Sequence, residues 1–144
     1  MSLTVMGDQT KTIFLKGVEA HKLHHEFTVG SGNTVIKRGQ PVVLNNDGTV
    51  KPAVAGEKGF KVIGISLHNG KAGELVTIAM KAYGVLYAMP KAALVAGPVK
   101  YDGLNTTDAD YNSYAAASAD GSDLVGWALD QADGADDLIR VAIV

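Results

Sequence analysis

Glu19, His21, His24, His25 and Glu26 form the densest group of metal-ligand side chains in the sequence. On a helix, His21 shares a face with His24 or His25 at three- or four-residue spacing, and a neighbouring carboxylate completes a zinc-type ligand set. The order is not His-Glu-x-x-His, so a solvated or interface-contacting segment is the expectation, and there the imidazoles make assembly pH-sensitive. Asp108-Ala-Asp110-Tyr-Asn112 sets oxygen ligands at alternate positions, like the opening of a calcium loop. Ser113 then stands where the sharp turn needs glycine, and the twelfth position is Ala119 rather than a bidentate glutamate. Phosphate cradles fail on spacing. From Gly64, the Gly70-Lys71 pair comes one residue too late and Ala72 replaces the magnesium-binding hydroxyl. Gly30-Ser-Gly32-Asn-Thr lacks the third glycine of a dinucleotide fingerprint, and Gly64-Ile-Ser66-Leu-His68 lacks the second glycine of a nucleophile elbow. No catalytic residue, cofactor or metal is therefore assigned, and the chain is expected not to be an enzyme.

Composition points the same way. Without cysteine there is no disulfide framework, thiolate metal site or cysteine nucleophile, so stability must come from packing or assembly. A chain of 144 residues with 47% hydrophobic content suits one domain or two intimately packed halves. No apolar run approaches the roughly 20 residues that span a bilayer, and no basic segment with an apolar h-region opens the chain; a soluble, unprocessed protein without a membrane partner is expected. Residues 1–72 hold nine Lys/Arg against five Asp/Glu, and residues 73–144 hold four against ten. Such polarity can orient subunits or dock one end on a charged surface. Basic residues are scattered singly and not interleaved with aromatics, so no nucleic-acid partner is expected.

The elements that must position any site are strands. Runs such as "TVIKRGQPVVL", "KVIGISL", "ELVTIAM", "YGVLYAM", "DLVGWAL" and "LIRVAIV" alternate with period two, are rich in Val and Ile, and are bounded by Gly, Asn or Asp. Asn45-Asn46-Asp47-Gly48 predicts a tight hairpin between Val42-Val43-Leu44 and Thr49-Val50. Helix is expected only in short pieces, the best candidates being "GVEAHKLHHEF" and "PKAALVAG", opened by Pro90 and closed by Gly97.

The chain also repeats itself. Aligning Gly64 on Gly126 sets Ile65 on Trp127 and Leu67 on Leu129, and further back Pro41 falls on Pro98 and Val42 on Val99. The two copies span about 39–80 and 97–144, the second with its loop expanded by "NTTDADYNSYAAASADGS". One such unit does not easily bury an apolar sheet face alone, whereas two packed together share a core. Gly64 and Gly126 predict a bulge or a close backbone approach. The expected fold is all-β: a small β-sandwich or barrel of two repeated β-units over 31–144, preceded by an extended N-terminal arm over 1–30. Trp127, inside an alternating run, is expected in the core. Tyr111 and Tyr114, in the expanded loop, are expected at a subunit or partner contact. So are Ile13, Phe14 and Leu15 of "TKTIFLKG", as an arm that adds a strand to a neighbour or lies across its surface.

"EFTVGSGNTVIKRGQPVVLNNDGTVKPA", "VIGISLHNGKAGELVTIAM" and "LVGWALDQADGADDLIRVAIV" together resemble the small decoration, or cement, proteins of tailed-bacteriophage capsids, over about Glu26 to Val144. The resemblance implies a non-enzymatic structural virion protein, made in the bacterial cytoplasm. It implies binding to the outer surface of the assembled head at junctions between major capsid proteins, as a homotrimer that stabilises the shell. A ligand- or carbohydrate-binding β-module is the alternative.

Overall fold

The computed structural model describes residues 24–81 and 84–144, and over them the chain is almost wholly β. Strands β1 (His24–Thr28), β2 (Val35–Ile36), β3 (Pro41–Leu44), β4 (Val50–Pro52), β5 (Val62–Ser66), β6 (Gly70–Lys71) and β7 (Leu75–Met80) make the first unit. Strands β8 (Val85–Ala88), β9 (Gly97–Leu104), β10 (Asn112–Ala116), β11 (Gly126–Ala128) and β12 (Ile139–Ile143) make the second. The first unit's five-stranded sheet runs β1-β7-β5-β3-β4, the second's β8-β12-β11-β9-β10, and β2 pairs with β6 in a separate two-stranded ribbon. All strand pairs are antiparallel, and neither large sheet closes into a barrel.

The two large sheets share order and register. In the first, Val42 pairs with Gly64 and Gly64 with Met80. In the second, Val99 pairs with Gly126 and Gly126 with Ile143. The aligned sequence positions thus occupy the same cross-strand row. One residue along, the row Pro41–Ile65–Ala79 matches Pro98–Trp127–Ala142. Each unit also takes in an opening strand that the alignment did not include, β1 in one and β8 in the other. The sheet therefore begins at His24, inside the stretch expected to be a free arm, and residues 1–23 lie outside the described residues.

Gly64 and Gly126 both mark close approach, and next to Gly64 the β3–β5 register also shifts, between Val42 and Val43. A Cβ on Gly64 collides with the carbonyl oxygen of Ala79, and one on Gly126 with that of Ala142. The Asp47-Gly48 turn forms as its chemistry dictates: Gly48 has φ 86, Asn45 N–H donates to Thr49 O at 2.7 Å, and Asp47 Oδ1 accepts from the Thr49 amide at 3.0 Å. Neither helix candidate is helical where described. His24–Phe27 belong to β1, and the stretch after Pro90 is held extended because Leu94 and Ala132 exchange backbone hydrogen bonds of 2.9 and 2.8 Å. Tertiary pairing overrides the local preference there. A single 3-10 turn covers Gly59–Lys61.

Two cores follow. Val29, Ile36, Val42, Val50, Val76 and Ile78 close one face of the first sheet under the β2–β6 ribbon. The larger core joins Val43, Ala53, Val62 and Ile65 of the first unit to Val99, Tyr101, Tyr114, Val125, Ile139 and Val141 of the second. A polar seam crosses the same junction. Gln40 Nε2 donates to Tyr101 Oη at 3.3 Å, Tyr101 Oη donates to Asn112 Oδ1 at 3.0 Å, and Asn112 Nδ2 donates to Gly39 O at 2.8 Å. Tyr101 is fully buried, edge-on to Tyr114 with ring centroids 5.6 Å apart. Burial pushes its phenol up to about 12, against a partial opposing pull from the Gln40 hydrogen bond.

Two outcomes are expected. Gly64→Ala and Gly126→Ala each force strand backbones apart and cost on the order of 1–3 kcal/mol or more in denaturant unfolding, whereas Gly134→Ala, with open space around it, stays within about 0.5 kcal/mol. Tyr101→Phe strips a partner from two buried amides and costs about 1–3 kcal/mol. Because the folded phenol titrates higher than an unfolded one near 10, its contribution is complete below pH 10 and disappears as pH rises towards about 12. The Phe variant flattens that alkaline fall in a stability-versus-pH series.

Candidate functional site

The outward face of the second sheet gathers several exposed apolar and aromatic side chains on one cross-strand geometry. On β12 the alternation buries Ile139, Val141 and Ile143 and turns Arg140 and Ala142 outward. Tyr87 on β8 pairs with Arg140, Val85 pairs with Ala142, and Trp127 on β11 pairs with Ala142 and with Pro98. Leu129 follows Trp127 on the same side, its N–H donating to Arg140 O at 2.9 Å. Tyr87 is 61% exposed and Trp127 44%. Val85 and Leu129 are exposed as well.

Arg140 stands in this face as a fixed charge. Its Nε and Nη2 donate to Asp130 Oδ2 and Oδ1 at 2.9 and 2.8 Å, and its own N–H donates to Asp130 Oδ2 at 2.9 Å. These side-chain and then backbone hydrogen bonds hold the Asp130 carboxyl down to about 2. Beyond it the β11–β12 loop carries Asp133 and Asp137 in the open, so the rim of the face is acidic.

The first sheet supplies an internal control. Its corresponding row, Pro41–Ile65–Ala79, is buried, with Ile65 in the core shared with the second unit. Where that face does meet solvent, at the β1 edge, it carries His24 and Glu26. The second sheet has Val85 and Tyr87 at the equivalent places. The covered face is modest and its free edge polar. The uncovered face carries the more apolar side chains. An exposed sheet surface with that composition has the character of an interface.

The first unit bears a second exposed apolar feature. Phe60, 80% exposed, projects from the 3-10 turn beside an open groove lined by Leu44, Lys51, Glu57 and Lys61. The turn is pinned: Gly59 N–H donates to Ser122 O at 3.0 Å, Lys61 N–H to Lys58 O at 3.0 Å, and Lys81 Nζ to Gly59 O at 2.7 Å. Phe60 is thus presented by a rigid support.

Comparison with protein-family models and with curated protein sequences finds no match.

Several residues chosen from sequence fall elsewhere. Trp127 is exposed, not core, because Gly126 and Ala128 take the inward positions of β11. Tyr114 is buried at 1% exposure, because the expanded "loop" forms β10 and turns that ring into the shared core; it is not a surface contact. Tyr111, just before β10, is half-buried, with its N–H donating to Asp108 O at 3.1 Å. Ile13, Phe14, Leu15 and His21 lie outside the described residues. His24 and His25 are neighbours on a strand and point to opposite faces, so they do not converge. Asn112 is buried and committed to Tyr101 and Gly39. Among the described residues no three His, Asp or Glu side chains gather as a metal site, and no helix is long and apolar enough to cross a membrane.

Phe60 was not picked out from sequence, and neither Tyr87 nor Leu129 was assigned to a contact surface. The signal for Trp127 lay in the repeat, whose alignment sets it on Ile65 with a larger ring and a different burial. Because the Trp127 side chain lies on the outer face, Trp127→Ser is expected to change unfolding stability by less than about 1 kcal/mol. A loss of several kcal/mol in denaturant melts contradicts the placement.

Proposed function

We propose that the protein is a non-enzymatic structural virion protein that binds the outer surface of an assembled phage head and stabilises it at junctions between major capsid proteins. The observation that carries this reading is a rigid two-unit β-body presenting two separate exposed apolar surfaces, the Trp127 face and the Phe60 turn, rimmed by opposite charge. A body with two docking surfaces joins proteins; it has no need of a reactive centre. The resemblance to decoration proteins supplies the kind of partner, and its phrases cover strands β1 to β7 and β11 to β12.

The physical effect is linkage. A ligand that binds only the expanded shell stabilises that shell, and many copies per head add avidity. The oligomer in this proposal is a homotrimer, with capsid contact falling to Tyr111 and to Ile13, Phe14 and Leu15 of the N-terminal segment.

Cosedimentation with expanded heads lacking the protein is expected to give saturable binding at a fixed copy number per head, and raised resistance of those heads to heat. Absence of binding to any such shell contradicts the proposal. A glycan-binding module is the second reading, favoured by two exposed rings, Tyr87 and Trp127, on the same sheet face as the ion-paired Arg140. Retention on a glycan array with no affinity for heads replaces the first reading with the second.

A further inference from the structure

We infer that the Trp127 face of one copy receives the Phe60 turn of a second copy, so that the chain associates head to tail. This deepens the head-binding reading by naming the occupant of that face, and it rests on that reading in taking a protein as partner.

Charge complementarity selects the occupant. The Trp127 face is bordered by the exposed Asp133 and Asp137, Asp130 being spent on Arg140, and the Phe60 groove by Lys51 and Lys61, with Glu57 the one acid lining it. Placing the Trp127 face on its own copy sets aspartates against aspartates, and placing the Phe60 turn on itself sets lysines against lysines. The crossed pairing avoids both. It also matches the whole-chain polarity, basic in residues 1–72 and acidic in 73–144.

The shapes agree as well. One surface is a sheet face carrying Trp127 and Tyr87, and the other is a single ring standing on a turn anchored by Ser122 O, Lys58 O and Lys81 Nζ. Little conformational freedom is lost when such a ring docks. The chain already covers the corresponding row of its first sheet with another unit of the same fold, at Ile65. A second copy does for Trp127 what the second unit does for Ile65. Because the two contact surfaces differ, the interface is heterologous, and each copy keeps one free surface for the next.

That asymmetry gives a sharp test, performed on the full chain without heads. Wild-type protein is expected to show a light-scattering mass above one copy. Phe60→Ser and Trp127→Ser are each expected to be folded by circular dichroism and associate at least tenfold more weakly. Mixed in equal amounts they are expected to form a species of two copies and no larger, because Phe60→Ser retains the face and Trp127→Ser retains the turn. Lys51→Glu combined with Lys61→Glu is expected to weaken wild-type association, most clearly at low salt.

A wild-type monomer at all concentrations overturns the inference. So does a folded Phe60→Ser protein that associates like wild type, or a mixture of the two variants that stays monomeric. If any of these holds while the protein still cosediments with heads, the head-binding reading survives and only the choice of occupant fails.

Discussion

Burial of one face of the first sheet, at Val43, Val62 and Ile65, against the second unit is the constraint on which the rest of the molecule depends. A β-unit of this size has a sheet with two faces and too little chain to cover both. The first unit solves half of the problem locally, laying the β2–β6 ribbon over Val42, Val76 and Ile78. The other half is solved by the second unit, whose Val99, Tyr101, Tyr114 and Val141 complete a core around Ile65, Val43 and Val62. The Gln40–Tyr101–Asn112–Gly39 seam then fixes how the two halves meet, since each buried polar group there has a specific partner.

Duplication leaves a remainder. The fold that buries its outer row once, between units, has no third unit to bury it again, and the second sheet ends with Pro98, Trp127 and Ala142 facing outward. A protein destined to stay alone would be expected to make that row polar, as the first sheet does at His24 and Glu26. Here it carries Tyr87, Val85 and Leu129 instead, with Arg140 neutralised by Asp130 so that the centre of the face holds no unpaired charge. Net polarity between the halves adds direction to an apolar attraction that has none of its own.

Much of the fold was legible in the sequence, and the reasons are local. Period-two alternation, the Asp-Gly turn and the paired glycines are short-range signals that tertiary packing had no cause to override. The repeat located Gly64 and Gly126 on equivalent strands before either neighbour, Ala79 or Ala142, was known. The site was less legible because alternation states that two faces differ without stating which one is covered. An alternating run alone does not say on which face Trp127 falls: Gly126 must face in for β11 and β12 to approach, and strand parity then sends Trp127 out. Tyr114 is the converse case: a stretch rich in Asp, Ser and Ala reads as loop by composition, although pairing with β9 makes it a strand and buries the ring. Phe60 had no periodic signal, since its exposure depends on a turn held by Ser122 and Lys81, both distant in sequence.

Trp127 is the single tryptophan of the chain, which makes its own solvent contact the most direct readout of the account. Tryptophan emission and acrylamide quenching should be followed across a dilution series spanning the free and associated protein. The account predicts that emission shifts to the blue and quenching falls as concentration, and with it mass, increases. A tryptophan equally open to quencher at every concentration, while mass rises, contradicts it and puts the contact on another surface.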